Sequence, residues 1–98
     1  GVSLAAEARF STTAPLLAHL IMARYEAKGP SELVDGSGGF GDEFPGYTWE
    51  VRVDRPSFDK AYGVADHLRR IEIVVAGPEA TRLRYRILRY VYAPEQRA

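Results

Sequence analysis

The sequence predicts an α+β domain in which one long N-terminal helix packs on a small antiparallel β-sheet. Three observations predict it. Leu4 to about Lys28 keeps apolar residues at three- and four-residue spacing and closes at Gly29-Pro30, a helix stop signal. Thr48–Val53 alternates, with Trp49, Val51 and Val53 on one face and Thr48, Glu50 and Arg52 on the other, the pattern of a strand covered on one side. Two further alternating runs follow, joined by Gly77-Pro78-Glu79-Ala80 at hairpin length.

The helix expected over residues 1–28 would be about 36 Å long over its Leu4–Lys28 core. Pro15 falls inside it, so a kink is expected there, or else a helix restart capped from Ser11-Thr12-Thr13. The helix carries two apolar stripes. Phe10, Ala14, Leu17, Ile21 and Tyr25 form one; Leu16, Leu20, Ala23 and Ala27 form a second, roughly 100° round the axis. One stripe can pack on the sheet. The other calls either for a helix sunk deep in a core or for neighbouring subunits. A deeply sunk helix is hard to arrange in 98 residues, which favours sharing.

Residues 29–46 read as a loop. Gly36, Gly38, Gly39, Gly41 and Gly46 argue against regular structure there. At its end Phe44-Pro45-Gly46-Tyr47 is a turn signal, since proline presets φ and glycine permits the positive φ that follows. The sheet region is residues 47–98, with strands expected at Tyr47–Asp54, Arg70–Ala76 and Arg82–Tyr92. In the last, Leu83, Tyr85 and Ile87 alternate with Arg82, Arg84 and Arg86. The apolar set then becomes Leu88, Tyr90 and Tyr92, a phase slip that predicts a bulge near Ile87-Leu88. The stretch from Arg55 to Leu68 reads as a looser crossover with a short helical turn around Tyr62–His67.

Size and composition bound the function. Ninety-eight residues make one domain, and 46% apolar with 27% charged residues is ordinary for a folded chain. Thirteen basic and thirteen acidic residues give no net preference for nucleic acid or an anionic membrane. The charge is uneven, however. Lys28–Asp66 holds four bases against eight acids and Leu68–Tyr92 six arginines against two glutamates, an arrangement expected to compensate itself. With no cysteine, thiol chemistry and disulfides are excluded. No run of about 18 apolar residues is present. Helical character begins almost at Gly1, as in a chain trimmed from something longer.

No residue pattern announces catalysis. His19 and His67 are far apart in sequence. Ser37 lacks the Gly-x-Ser-x-Gly spacing of a hydrolase elbow, and the glycine run lacks the lysine and hydroxyl of a phosphate loop. Asp35, Asp42, Glu43, Asp54 and Asp59 match no calcium loop. Arg82, Arg84 and Arg86 alternate with Tyr85, which puts ring and cations on opposite faces and weakens a nucleic-acid reading. The expectation is a non-enzyme without metal or cofactor.

Leu20-Ile21-Met22-Ala23-Arg24-Tyr25-Glu26-Ala27, Phe44-Pro45-Gly46-Tyr47-Thr48-Trp49-Glu50-Val51-Arg52-Val53 and Leu68-Arg69-Arg70-Ile71-Glu72-Ile73-Val74-Val75 together resemble the I-type minor pseudopilins of type II secretion. In that family a Gly-aromatic-x-Trp strand follows the loop, and a leucine-x-x-hydrophobic-x-hydrophobic strand follows that. The resemblance covers most of the chain through short, mainly structural pieces, and the prepilin cleavage signature is not among them. It implies a periplasmic domain of an inner-membrane-anchored protein in a Gram-negative bacterium. It also implies a place at the pseudopilus tip with J-type and K-type minor pseudopilins. Leu16, Leu20, Ala23 and Ala27 would then be the partner-binding helix face, with Leu17 and Ile21 in the core; with the stripes exchanged, Phe10, Leu17 and Ile21 would face outward instead. The alternatives are a type IV pilus minor pilin, or a small ligand- or nucleic-acid-binding α+β module.

Overall fold

The computed structural model describes residues 3–56 and 67–92. Helix α1 spans Leu4–Glu26, and four strands follow: β1 Gly36–Gly39, β2 Thr48–Asp54, β3 Leu68–Ala76 and β4 Arg84–Tyr92. They form one antiparallel sheet in the order β1-β2-β3-β4, a meander with α1 laid across one face. The α+β architecture read from the sequence is the one present. The helical turn expected around Tyr62–His67 and the acidic Asp59 fall largely or wholly at 57–66, outside the described residues.

Ser3 caps α1, its Oγ accepting from the Ala6 N–H at 3.0 Å, and Glu7 complements the positive helix end. The helix passes through Pro15 as one segment. Ser11 and Thr12, expected as caps of a restart there, instead donate their hydroxyls to the Glu7 and Ala8 carbonyls one turn back, at 2.9 and 3.2 Å. A helix already formed upstream leaves nothing for them to cap. The helix ends at Glu26, with Ala27 as its cap, two residues before the expected stop.

Phe10, Ala14, Leu17, Ile21 and Tyr25, the first stripe, are all buried on the sheet, and Ala18 and Met22 widen it. Facing them are Val51 of β2 and Ile71, Ile73 and Val75 of β3, each 0–1% exposed. Trp49, Val53, Tyr85, Ile87 and Val91 flank this core. β3 therefore forms the centre line of the sheet, and its alternation of buried and half-buried residues is the strict period of two that a one-sided sheet requires.

Two expectations are overturned. The glycine tract is not wholly irregular: Gly36–Gly39 forms β1, paired with Val51–Thr48 of β2. Its glycines make room for large neighbours. A Cβ on Gly38 would stand 3.0 Å from three atoms of the Trp49 indole, and one on Gly36 would stand 2.6 Å from the Tyr25 hydroxyl. Beyond the end of β1, the Asp35 carboxylate accepts the Val53 N–H at 2.8 Å and extends the ladder with a side chain. The bulge is the second. β4 pairs with β3 residue for residue from Arg84↔Ala76 to Tyr92↔Leu68, so Arg89 keeps the phase of Ile87 and Val91 on the helix side. There it meets the Glu26 carboxylate at the end of α1. A polar residue at an inward position simulated a slip because its partner lies 63 residues away.

The Phe44–Tyr47 turn forms as read, with the Tyr47 N–H on the Phe44 carbonyl at 3.1 Å and Gly46 at φ +84°. In the β3–β4 connection the left-handed position is taken by a non-glycine residue, Arg82, at φ 56°.

Candidate functional site

The candidate site is the helix face turned away from the sheet. At 100° per residue, Leu16, Leu20, Ala23 and Ala27 centre about 150° from the mean direction of the seven buried helix residues, almost opposite the sheet. Leu16 is 69% and Leu20 47% exposed, and Ala23 and Ala27 are exposed beside them. Three of the four lie on α1, and Ala27 sits at its C-cap, still in helical geometry. Two leucines one turn apart followed by two alanines one turn apart make a shallow apolar ridge that a second helix can approach closely. No described element covers it. The sunken-helix account therefore does not apply: α1 forms an outer layer, and principal extents of 50 × 27 × 17 Å leave thickness for one helix on one sheet.

The residues weighed for chemistry are not brought together. His19 is exposed on α1, with its Nδ1 2.7 Å from the Pro15 carbonyl oxygen. His67 packs edge-on against Tyr92 at 5.9 Å between ring centres. Ser37 is exposed on β1. Asp35 holds the Val53 amide, and Asp54 holds the Arg70 guanidinium through two bonds of 2.8 and 2.9 Å. Among the described residues no three of His, Cys, Asp and Glu converge as metal ligands do.

The outer sheet face is less simple than its alternation suggested. Tyr85 does lie on the helix side, opposite the arginines. With no bulge in β4, however, Leu88, Tyr90 and Tyr92 share the outer face with Arg84 and Arg86, and they are 43%, 47% and 63% exposed. Most cations on this face have acidic partners: Arg70 with Asp54, Arg86 with Glu72, and Arg52 with Glu50, at 2.8–3.3 Å. The acidic middle and basic end of the chain thus meet partly within the sheet. A face so compensated has little positive field left for a phosphate backbone.

A third feature escaped sequence reasoning. Phe10, Phe44, Tyr47, Pro78 and Leu83 line a groove of about 360 Å³ beside the first half of α1, with Arg9 and Glu43 at its rim. Phe10 stacks on Tyr47 at 6.1 Å, and Phe44 meets Tyr47 edge-on at 6.3 Å. These residues come from three separate segments, the helix, the turn before β2 and the β3–β4 connection, so no local pattern announced them.

Comparison of the chain with protein-family models, curated proteins and solved structures finds no significant match in any of the three.

Proposed function

We propose that this chain is a pilin-like assembly subunit that works by packing its helix against the helices of neighbouring subunits. The observation that carries the reading is the uncovered stripe of Leu16, Leu20, Ala23 and the C-cap Ala27 along a 23-residue helix whose opposite side already supplies the core. A helix facing only water is expected to carry charged and polar residues there. The long helix on a four-stranded antiparallel sheet, the proline-glycine turn into the tryptophan strand, and the resemblance of three segments to I-type minor pseudopilins support a place within that class. The partners would be the J-type and K-type minor pseudopilins, and the setting the periplasmic tip of a type II secretion pseudopilus. A type IV pilus minor pilin is the same physical device in another machine.

Leu20→Glu tests the mechanism. Leu20 lies outside the core, so the variant should keep the fold by circular dichroism and lose co-purification with the helical partners. Retained binding by a folded variant would overturn the helix-face assignment. The class is tested by the encoded residues before Gly1. A glycine–phenylalanine junction followed by about 20 apolar residues would support it, and an initiator methionine within a few residues of Gly1 would overturn it.

A further inference from the structure

β4 is the last strand of the described sheet, nine residues long, with no described strand beyond it. Alternate residues along it direct backbone N–H and C=O groups away from β3, which is a template for another strand. The opposite edge is a poorer template, because β1 has four residues and three of them are glycine.

Arginines on an edge normally discourage pairing, and β4 carries Arg84, Arg86 and Arg89. Two of these already hold acids of their own chain: Arg86 bonds Glu72 at 2.8 Å, and Arg89 bonds Glu26. The edge is therefore less cationic than its sequence.

Read in reverse about its midpoint, Leu88, the strand complements itself. We infer that β4 pairs antiparallel with β4 of a second copy of this chain, Leu88 facing Leu88 across a two-fold axis. In this register Arg86 faces the second copy's Tyr90 and Arg84 faces its Tyr92, all on the exposed side of the sheet. Arg86 keeps its bond to Glu72 in this register, and the Arg84 cation set beside the exposed Tyr92 ring is attracted to it. On the helix side Tyr85 faces Val91, and Ile87 faces Arg89. All nine residues find a partner. The two copies of Arg86 stand four residues apart along the strands, about 13 Å, beyond the screening length of about 8–10 Å near physiological salt. Registers that set Arg86 against Arg86, or Arg89 against Arg89, place like charges directly opposite and are disfavoured. The product is a continuous eight-stranded sheet with both helices on one face. It uses a sheet edge rather than the helix stripe, so it does not depend on the proposed function.

The absence of cysteine makes the test clean. Leu88→Cys introduces a single thiol at an exposed position, and in the paired edge the two copies of that thiol face each other. Mild oxidation should yield a disulfide-linked dimer rapidly. Arg84→Cys alone should not cross-link at that rate, because its two copies lie about 27 Å apart along the strands, while a mixture of Arg84→Cys and Tyr92→Cys chains should. The unsubstituted chain should sediment as a concentration-dependent dimer, and Leu20→Glu should leave that dimer intact. A monomer at every concentration up to millimolar, or cross-linking of Leu88→Cys no faster than of Arg84→Cys, would overturn the inference. A dimer abolished by Leu20→Glu would overturn it in favour of the helix stripe.

Discussion

Gly38→Ala is the substitution whose sign separates two views of the glycine tract. Gly38 has no positive φ, so an alanine there meets no backbone strain. In a spacious strand the change should stabilise by about 0.5–1 kcal/mol, through the unfolded chain's lost freedom. Here the new Cβ would meet Cε2, Cζ2 and Nε1 of Trp49, each at 3.0 Å, where carbon atoms rest at about 3.5–4.0 Å. The indole is rigid and must move by about 0.5 Å or more to restore that spacing. It sits half-buried against the core, so it can lift outward, which puts the overpacking cost near the middle of the usual range, about 2 kcal/mol. The net expectation is a loss of about 1 kcal/mol, or a fall of about 4–8 °C in Tm. Gly39 supplies the control, since a Cβ there finds only the Tyr47 carbonyl at 3.7 Å, and Gly39→Ala should be neutral or stabilising. Urea titrations followed by the fluorescence of Trp49, the chain's sole tryptophan, would measure both. In a Trp49→Leu background the Gly38→Ala penalty should disappear, and the double-mutant cycle gives the coupling directly. A Gly38→Ala protein more stable than the parent would refute the view that these glycines exist to seat Trp49.

Ile73 is fully buried at the centre of the sheet, and Ile73→Ala should cost about 3–4 kcal/mol, read as a lower urea midpoint at unchanged slope; a loss below about 1 kcal/mol would mean a loosely packed core. Arg82→Gly should stabilise by up to about 1 kcal/mol, because φ 56° is uncomfortable for a side-chain-bearing residue and the arginine is exposed; a lower Tm would contradict that. The Tyr25 hydroxyl is pushed above its ordinary pKa, first by burial and then by the nearby Asp35 carboxylate. A raised folded pKa makes its stabilising contribution complete below the unfolded value of 10.0, with loss as pH climbs through the folded value. Stability should therefore fall as pH rises above 10, and Tyr25→Phe should reduce that slope; an unchanged slope would exclude Tyr25 as its source.

Legibility followed the range of the interactions involved. The core stripe of α1 and the alternations of β2 and β3 were readable because each is periodic within its own segment and one face of each is covered. The Phe44–Tyr47 turn was readable because its chemistry is complete within four residues. β1 was not, since Gly36-Ser37-Gly38-Gly39 has no strand propensity of its own. It pairs because Trp49 and Tyr25 overhang it from β2 and α1. Arg89 misled for the same reason, its partner Glu26 being supplied by the helix. At the candidate site both stripes were legible, but their division of labour was not: only the placement of the sheet shows that Phe10–Tyr25 is the buried one and Leu16–Ala27 the open one.

The open stripe also limits how the proposed subunit could bind. Fully burying a leucine is worth about 1.5–3 kcal/mol. Scaled by 69% and 47% exposure, Leu16 and Leu20 have together about 2–3.5 kcal/mol left to gain. Association of two free proteins costs about 4–15 kcal/mol in lost freedom alone, so this ridge cannot hold a stable pair by itself. It suffices where the cost is already met, in an assembly whose subunits are anchored side by side and whose helices touch several neighbours at once. The two substitutions at position 20 then differ in kind. Leu20→Ala gives up only about 1 kcal/mol of burial, a severalfold change that multivalency can absorb. Leu20→Glu places an unpaired carboxylate in a helix contact, a cost that no neighbouring contact relieves. Assembly that tolerates alanine and fails with glutamate is the signature of many weak helix contacts acting together, whereas loss with both would indicate a single strong binding pocket.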